Sequence, residues 1–207
     1  MCTILKVRWT INPRIAPQPW IACSGCGGLK SFRSRGKIRL NANGKRLDAW
    51  LIYKCSVCNK TWNRTLFERQ SVRNLAPTAL EALQTNNIHW IRAQEFDLDA
   101  LRRKAQHVDE FADADVKKEV LGETDGWTVL DIELTVTLAY SARLDRLLAS
   151  ELGLSRSRLQ ALYRSEKLQI HPDRADAMRR RVKDGTRIVI DRTDQADRHS
   201  AGLAARL

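Results

Sequence analysis

Two pairs of cysteines, Cys23-Ser-Gly-Cys26 and Cys55-Ser-Val-Cys58, are the residues of this chain best suited to chemistry. Each pair leaves two residues between its sulfurs, so both thiolates and the intervening amides can curl around one side of a metal ion. Two such turns supply four soft ligands, a tetrahedral set whose expected occupant is Zn²⁺. Four cysteines leave no open position for water, so the expected role is structural. Gly27, directly after the first pair, suits a tight turn because glycine accepts positive φ. Trp62 and Phe67, after the second pair, are placed to cover the site with apolar surface. Cys2 has no partner nearby in sequence and reads as a plain terminal residue.

The elements that must position these sulfurs read as β. Leu5, Val7, Trp9 and Ile11 alternate with more polar neighbours, which predicts a strand ending at Pro13. Pro13, Pro17 and Pro19 make an extended lead into the first cysteine pair. Lys37 to Leu40 and Leu47 to Tyr53 then flank Asn43-Gly44, a favoured centre for a tight hairpin turn. Thr61 to Phe67 supplies another short strand. Knuckle, hairpin, knuckle, strand is the pattern of a zinc ribbon, expected within residues 1–70. So small a unit buries little core, and the metal is expected to contribute on the order of 10 kcal/mol to its folding.

Charge divides the 207-residue chain into three parts. Residues 1–70 carry 14 Lys and Arg against 2 Asp and Glu; residues 71–140 carry 7 against 13; residues 141–207 carry 15 against 9. Basic ends around an acidic spacer, with a net charge of +12, suggest a polyanionic partner, most simply nucleic acid. Solubility charge is the alternative. Lys30, Arg33, Arg35, Lys37, Arg39, Lys45 and Arg46 crowd the stretch between the knuckles. The alternate positions 33, 35, 37 and 39 would share one strand face, either solvated or set against phosphates. Trp50 and Tyr53 read as core, with base stacking as the alternative. No run approaches the ~20 apolar residues of a membrane helix, and the N-terminus lacks the pattern of a signal peptide. The expected compartment is the reducing cytoplasm, where paired cysteines bind metal more often than they form disulfides.

Residues 71–126 read as an acidic helical middle without chemistry. Pro77 opens a helix to about Gln84, and Asp97 caps a second containing Leu98, Leu101 and Ala105. Asp109, Glu110, Asp113 and Asp115 read as a solvated helix or loop, and His89 and His107 as isolated. Gly122 to Gly126 breaks the helices. Neither a nucleophile–base pair nor a small-molecule site is evident, so no enzymatic activity is expected.

Residues 127–190 form a last module, followed by a loose tail at 191–207. Leu130, Ile132, Leu134, Val136 and Leu138 alternate with polar residues as a half-buried strand. Leu144, Leu147 and Leu148 form one helical stripe, ended by Gly153; Leu159, Leu162 and Tyr163 form another, capped by Ser155. Arg143 and Arg146 lie one turn apart, and Arg156, Gln160 and Arg164 follow at four-residue spacing. Leu168-Gln-Ile170 and, after Asp184-Gly185, Thr186 to Ile190 complete the module as strands. The predicted class is α+β: a zinc-ribbon β unit, a helical middle and a small α+β module.

Arg143-Leu-Asp-Arg-Leu-Leu148 and Ser155-Arg-Ser-Arg-Leu-Gln-Ala-Leu162, with the closing Val/Ile-rich strand, resemble the small RNA-binding domain named after ribosomal small-subunit protein four. The resemblance covers about 50 residues. It implies that Arg143, Arg146, Arg156 and Arg158 meet structured RNA, ribosomal or transfer RNA first; Arg164, at helical spacing from Arg156 and Gln160, is a further candidate contact. The chain departs from the family's glycine–valine–valine and Asn-Gly continuation, having Glu166-Lys-Leu-Gln-Ile170 and His171-Pro-Asp173 instead. Asn41-Ala-Asn-Gly-Lys-Arg-Leu-Asp-Ala-Trp-Leu-Ile-Tyr-Lys-Cys55, continuing through Thr61-Trp-Asn-Arg64 and Phe67-Glu-Arg69, resembles a bacterial family of unknown function, the ten-sixty-second so named. That resemblance implies no activity. The two cysteine pairs, 28 residues apart, also resemble rubredoxin spacing, and iron–thiolate absorption would distinguish an electron carrier from colourless zinc. The expected function is therefore zinc-stabilised, non-enzymatic RNA binding. A DNA-binding, transcription-associated ribbon is the first alternative and the electron carrier the second.

Overall fold

The computed structural model describes residues 3–122 and 126–191. Cys2, the centre of the break at 122–126 and the tail beyond Asp191 lie outside them. In chain order the elements begin β1 (Ile4–Pro13), β2 (Gln18–Cys23), β3 (Gly28–Asn43), β4 (Arg46–Cys55) and β5 (Thr61–Ser71). Then come α1 (Pro77–Thr85), α2 (Ile88–Glu95), α3 (Leu98–Arg102), β6 (His107–Asp109), β7 (Ala114–Gly122) and β8 (Val129–Val136). The chain continues with α4 (Leu144–Leu152), α5 (Arg156–Arg164), β9 (Leu168–His171) and β10 (Arg187–Asp191). The class is mixed α+β with two five-stranded sheets. Two compact units result: Ile15–Glu110, and the segments on either side of it together.

The outer segments build the sheet β7-β1-β8-β10-β9. Here the structure departs from the expected segments 1–70, 71–126 and 127–190. β1, expected beside the ribbon, runs parallel to β8, with Leu5, Val7, Trp9 and Ile11 opposite Leu130, Ile132, Leu134 and Val136. The two period-two patterns coincide, so both strands bury their apolar residues on one face. All four β1 side chains are buried. The intervening residues 15–110 are thus an insertion between β1 and its other partner, β7. β7 was expected as helix or loop; it is a strand because β1 offers it an antiparallel ladder from Pro13↔Ala114 to Lys6↔Gly122.

β8 stops at Val136 rather than Leu138: its ladder with β1 ends at Ile11↔Val136, and Asp184 Oδ1 takes the Val136 N–H at 2.7 Å. Asp131, expected on a polar strand face, is buried; Arg187 donates to its two oxygens through Nε and Nη2, each at 2.7 Å. α4 and α5 pack their leucine stripes into the same core. Gly153 ends α4 at φ 65°, and Ser155 Oγ caps α5 by accepting the Arg158 N–H at 3.1 Å.

Residues 15–110 form the sheet β5-β4-β3-β2-β6. Asn43 pairs with Arg46, so the hairpin turn centres on Gly44-Lys45, one residue later than expected. Gly44 has φ 59°, which suits the first central position of a type II′ turn. One sheet face carries Phe32, Ile38, Leu47, Leu51 and Tyr53 into a core shared with Leu83 of α1, Ile91 of α2 and Leu101 of α3. Pro77 opens α1, and Asp97 caps α3 through the Ala100 N–H at 2.9 Å. Between them α2, absent from the sequence reading, is capped by Asn87, which accepts the Trp90 N–H at 3.0 Å.

The acidic residues of the middle are mostly paired: Asp113 and Asp115 with Arg14, Glu110 with Arg102. His107, read as isolated, bonds Asp109 at 3.0 Å.

Candidate metal centre and basic surfaces

Antiparallel pairing of β3 with β4 sets Phe32 opposite Cys55, and β2 with β3 sets Cys23 opposite Gly28, so the two cysteine turns emerge at the same end of the sheet. Each turn closes on its own backbone. Cys23 O accepts the N–H groups of Cys26 (3.2 Å) and Gly27 (3.0 Å), and Cys55 O accepts that of Asn59 (3.1 Å). Gly27 and Asn59, the residues that follow each pair, have φ 68° and 59°. The left-handed conformation needed to fold the chain back explains a glycine in one turn and an asparagine in the other.

The four Sγ atoms of Cys23, Cys26, Cys55 and Cys58 lie within 4.8 Å of one another. Cys23 and Cys58 are 3.4 Å apart, Cys26 and Cys55 3.9 Å. A tetrahedron with metal–sulfur bonds of about 2.3 Å has sulfur edges of about 3.8 Å. The set can therefore hold one metal ion with small adjustments. The two turns differ electrostatically. Amides of Cys58 and Val57 directed at Cys55 pull its thiol down to about 6 despite burial. The thiol of Cys26, hydrogen-bonded to Cys58 and desolvated, is pushed up to about 12. A divalent cation supplies the positive charge that lets all four ionise together.

Gly25 is needed for space: a Cβ there would stand 3.1 Å from Cys58 Sγ. Trp62 packs edge-on against Phe32 (centroids 6.3 Å apart) and tilted against Tyr53 (5.2 Å), in the layer beneath Cys55. Phe67 joins the same core. Beside them lies Arg64, 3% exposed, a buried cation the sequence reading missed. It donates to the Gln94 carbonyl at 2.6 Å and faces the Tyr53 hydroxyl at 3.5 Å. Its place on the inner face of β5 was concealed because the residue type suggests solvent. Tyr53 is wholly buried, and burial pushes its phenol up to about 12.

The basic residues fall into separate groups. Arg146 and Arg156, on α4 and α5, line one groove together with Ala149 and Ser150. Arg164 lies apart, beside Tyr163, Glu166, Leu168 and Asp173. Arg143 is the residue before α4, and its guanidinium forks onto Asp145 of the same chain segment. Arg158 is exposed at the start of α5.

In the other unit Arg33, Arg35, Lys37, Arg39, Lys45 and Arg46 are all exposed. The expected uninterrupted row 33–35–37–39 is modified by a bulge: Ser34 pairs with Tyr53, but the next pair is Ile38 with Leu51. Two extra residues bow out there, with Gly36 at φ 61°. An even insertion preserves the alternation, so Arg33 and Arg39 still share the outer face. Lys54, directly opposite Arg33, adds a cation the sequence reading passed over; strand pairing alone reveals it.

Among the described residues no helix is long and apolar enough to cross a membrane. No curated protein and no solved structure matches the chain. One family does, over residues 40–174, well over half of the length and including the second cysteine pair. The chain belongs to the family described as protein of unknown function DUF1062.

Proposed function

We propose that this is a cytoplasmic, non-enzymatic RNA-binding protein, in which a structural zinc ribbon is inserted into an α+β body that offers helix-borne arginines to structured RNA. The observation that carries the reading is the groove shared by Arg146 and Arg156. No acidic side chain lines it, and neither arginine is held by a carboxylate among the described residues. Two planar guanidinium groups at one concavity suit bidentate capture of phosphate oxygens. The order α4–α5–β9–β10, two short helices then two paired strands, supports the resemblance to the ribosomal small-subunit protein four domain. Structured ribosomal or transfer RNA is preferred over DNA on that resemblance alone. Arg143 is better read as a structural partner of Asp145 than as a free phosphate contact.

The zinc ribbon is supported by the near-tetrahedral spacing of the sulfurs and by their two glycine- or asparagine-closed turns. Its basic outer strands add a second contact, and two weak sites in one chain gain from high effective concentration.

The test is crosslinking of the tagged protein to RNA in cells, with the bound RNA sequenced. A discrete enrichment of ribosomal or transfer RNA that falls in an Arg146→Ala/Arg156→Ala variant supports the reading. Recovery at background level overturns it. Retention of duplex DNA in preference to RNA by the purified protein favours the DNA-binding alternative.

A further inference from the structure

We propose that the outward face of the sheet β5-β4-β3-β2-β6 is a platform for single-stranded RNA, with Trp50 as its base-stacking surface and Arg33 and Arg39 as its phosphate contacts. This rests on the RNA reading above and names the form of RNA that this second surface takes.

Strand register carries the argument. Directly opposed residues of an antiparallel pair share a sheet face. Trp50 of β4 lies between Arg39 of β3 and Thr65 of β5; two residues on, Ile52 faces Asn63; two further, Lys54 lies between Arg33 and Thr61. All of these alternate with Leu47, Ala49, Leu51, Tyr53 and Cys55, which are buried on the opposite face. Trp50 and Ile52 remain partly exposed and belong to neither hydrophobic core. An indole kept in partial contact with solvent, flanked by a guanidinium and a hydroxyl, leaves part of its surface open to a ligand.

The charges point the same way. Several arginines of this chain are neutralised: Arg8, Arg14, Arg102, Arg143 and Arg187 each meet a carboxylate. Arg33, Arg35, Lys37 and Arg39 make no ion pair among the described residues. Asp48 and Asp109, in the same sheet, direct an oxygen to N–H donors rather than to these cations: Asp48 accepts the Arg69 N–H at 2.7 Å, and Asp109 accepts the Trp20 indole N–H at 2.6 Å. Unneutralised cations beside an accessible indole match a ligand with negative backbone and flat faces. A duplex hides those faces inside its own stack, whereas an unpaired strand can lay a base on the ring and its phosphates along the arginines.

The test uses the full-length protein with two fluorescein-labelled RNAs, an unstructured uridine-rich ten-mer and a stable hairpin, and a labelled DNA ten-mer of matching sequence, read by anisotropy. Trp50→Ala is expected to weaken ten-mer binding about tenfold or more, Trp50→Phe much less, and neither to change hairpin binding. Arg33→Ala/Arg39→Ala should weaken the ten-mer and reduce the slope of log K against log salt by about 1.4, two single-strand phosphates at about 0.7 each. Arg146→Ala/Arg156→Ala should weaken the hairpin instead. An unchanged melting temperature in Trp50→Ala excludes misfolding as the cause. Three results overturn the platform while leaving the RNA reading intact: hairpin binding without ten-mer binding, a ten-mer affinity indifferent to Trp50→Ala, or tighter binding of the DNA ten-mer than of the RNA. Absence of binding to both RNAs overturns the RNA reading and the platform with it.

Discussion

On the zinc reading proposed above, removal of the metal is predicted to unfold residues 15–110 while the β1/β8 unit stays folded. The core of residues 15–110 comprises twelve buried residues, and two of them, Cys23 and Cys55, belong to the cysteine cluster. The core of the other unit comprises twenty-two among its described residues. Zinc–thiolate binding in small domains contributes roughly 10–16 kcal/mol of apparent folding free energy. An entire domain is usually stable by only about 5–15 kcal/mol. Loss of a term of that size matches or exceeds the whole margin such a unit is expected to hold. The assay is hydrogen–deuterium exchange by mass spectrometry on the whole chain, with and without excess chelator, alongside metal content by native mass. Amides of β3, β4 and β5 should lose protection in the chelated protein, and those of β1, β8 and β10 should keep it. Cys55→Ser should reproduce the pattern without chelator. X-ray absorption of the loaded protein should report four sulfurs at about 2.3 Å. Equal protection of β3 and β4 in metal-free protein would refute the reasoning, because the fold would then stand on its side-chain core alone.

Gly25→Ala should lower metal affinity measurably in a chelator competition, since the new methyl meets Cys58 Sγ at 3.1 Å, whereas Gly28→Ala, with nothing within 4 Å, should not. Trp9→Ala should cost about 3–5 kcal/mol in urea unfolding of the β1/β8 unit, because the wholly buried indole leaves a large cavity. Tyr53 should resist ionisation in a spectrophotometric titration until about pH 12. Its folded pKa lies above the ordinary value of 10, so it leaves stability unchanged below pH 10. Between 10 and 12 only the unfolded chain releases the proton, and stability should fall by about 1.4 kcal/mol per pH unit. A Tyr53→Phe variant should lose that dependence.

Local chemistry was legible where it is written in consecutive residues. The two cysteine turns, the Pro77 and Asp97 helix starts, the Gly153 stop and the Ser155 cap each depend on groups a few positions apart, and the structure shows them. The alternation of β1 and β8 was readable as strand, with its buried face correctly assigned. α2 was missed because its start depends on a single asparagine cap within a polar run.

What the residues alone could not decide was pairing. The pattern of Leu5, Val7, Trp9 and Ile11 specifies a strand with one buried face and says nothing about which strand lies beside it. Only the tertiary fold matches it to Leu130–Val136 across more than a hundred residues, making residues 15–110 an insertion. The same limit hid β7, a charged stretch with two acids and two lysines that becomes a strand because β1 offers a ladder. It also hid Arg64 and Asp131, charged residues whose burial is offset by remote partners, the Gln94 carbonyl and Asp97 for the first and Arg187 for the second. For function, the four sulfurs were a property of the sequence, since two-residue spacing fixes each turn. The face on which Trp50 meets Arg39, and Lys54 meets Arg33, was a property of register, because side-chain direction in a sheet is settled only when strands pair.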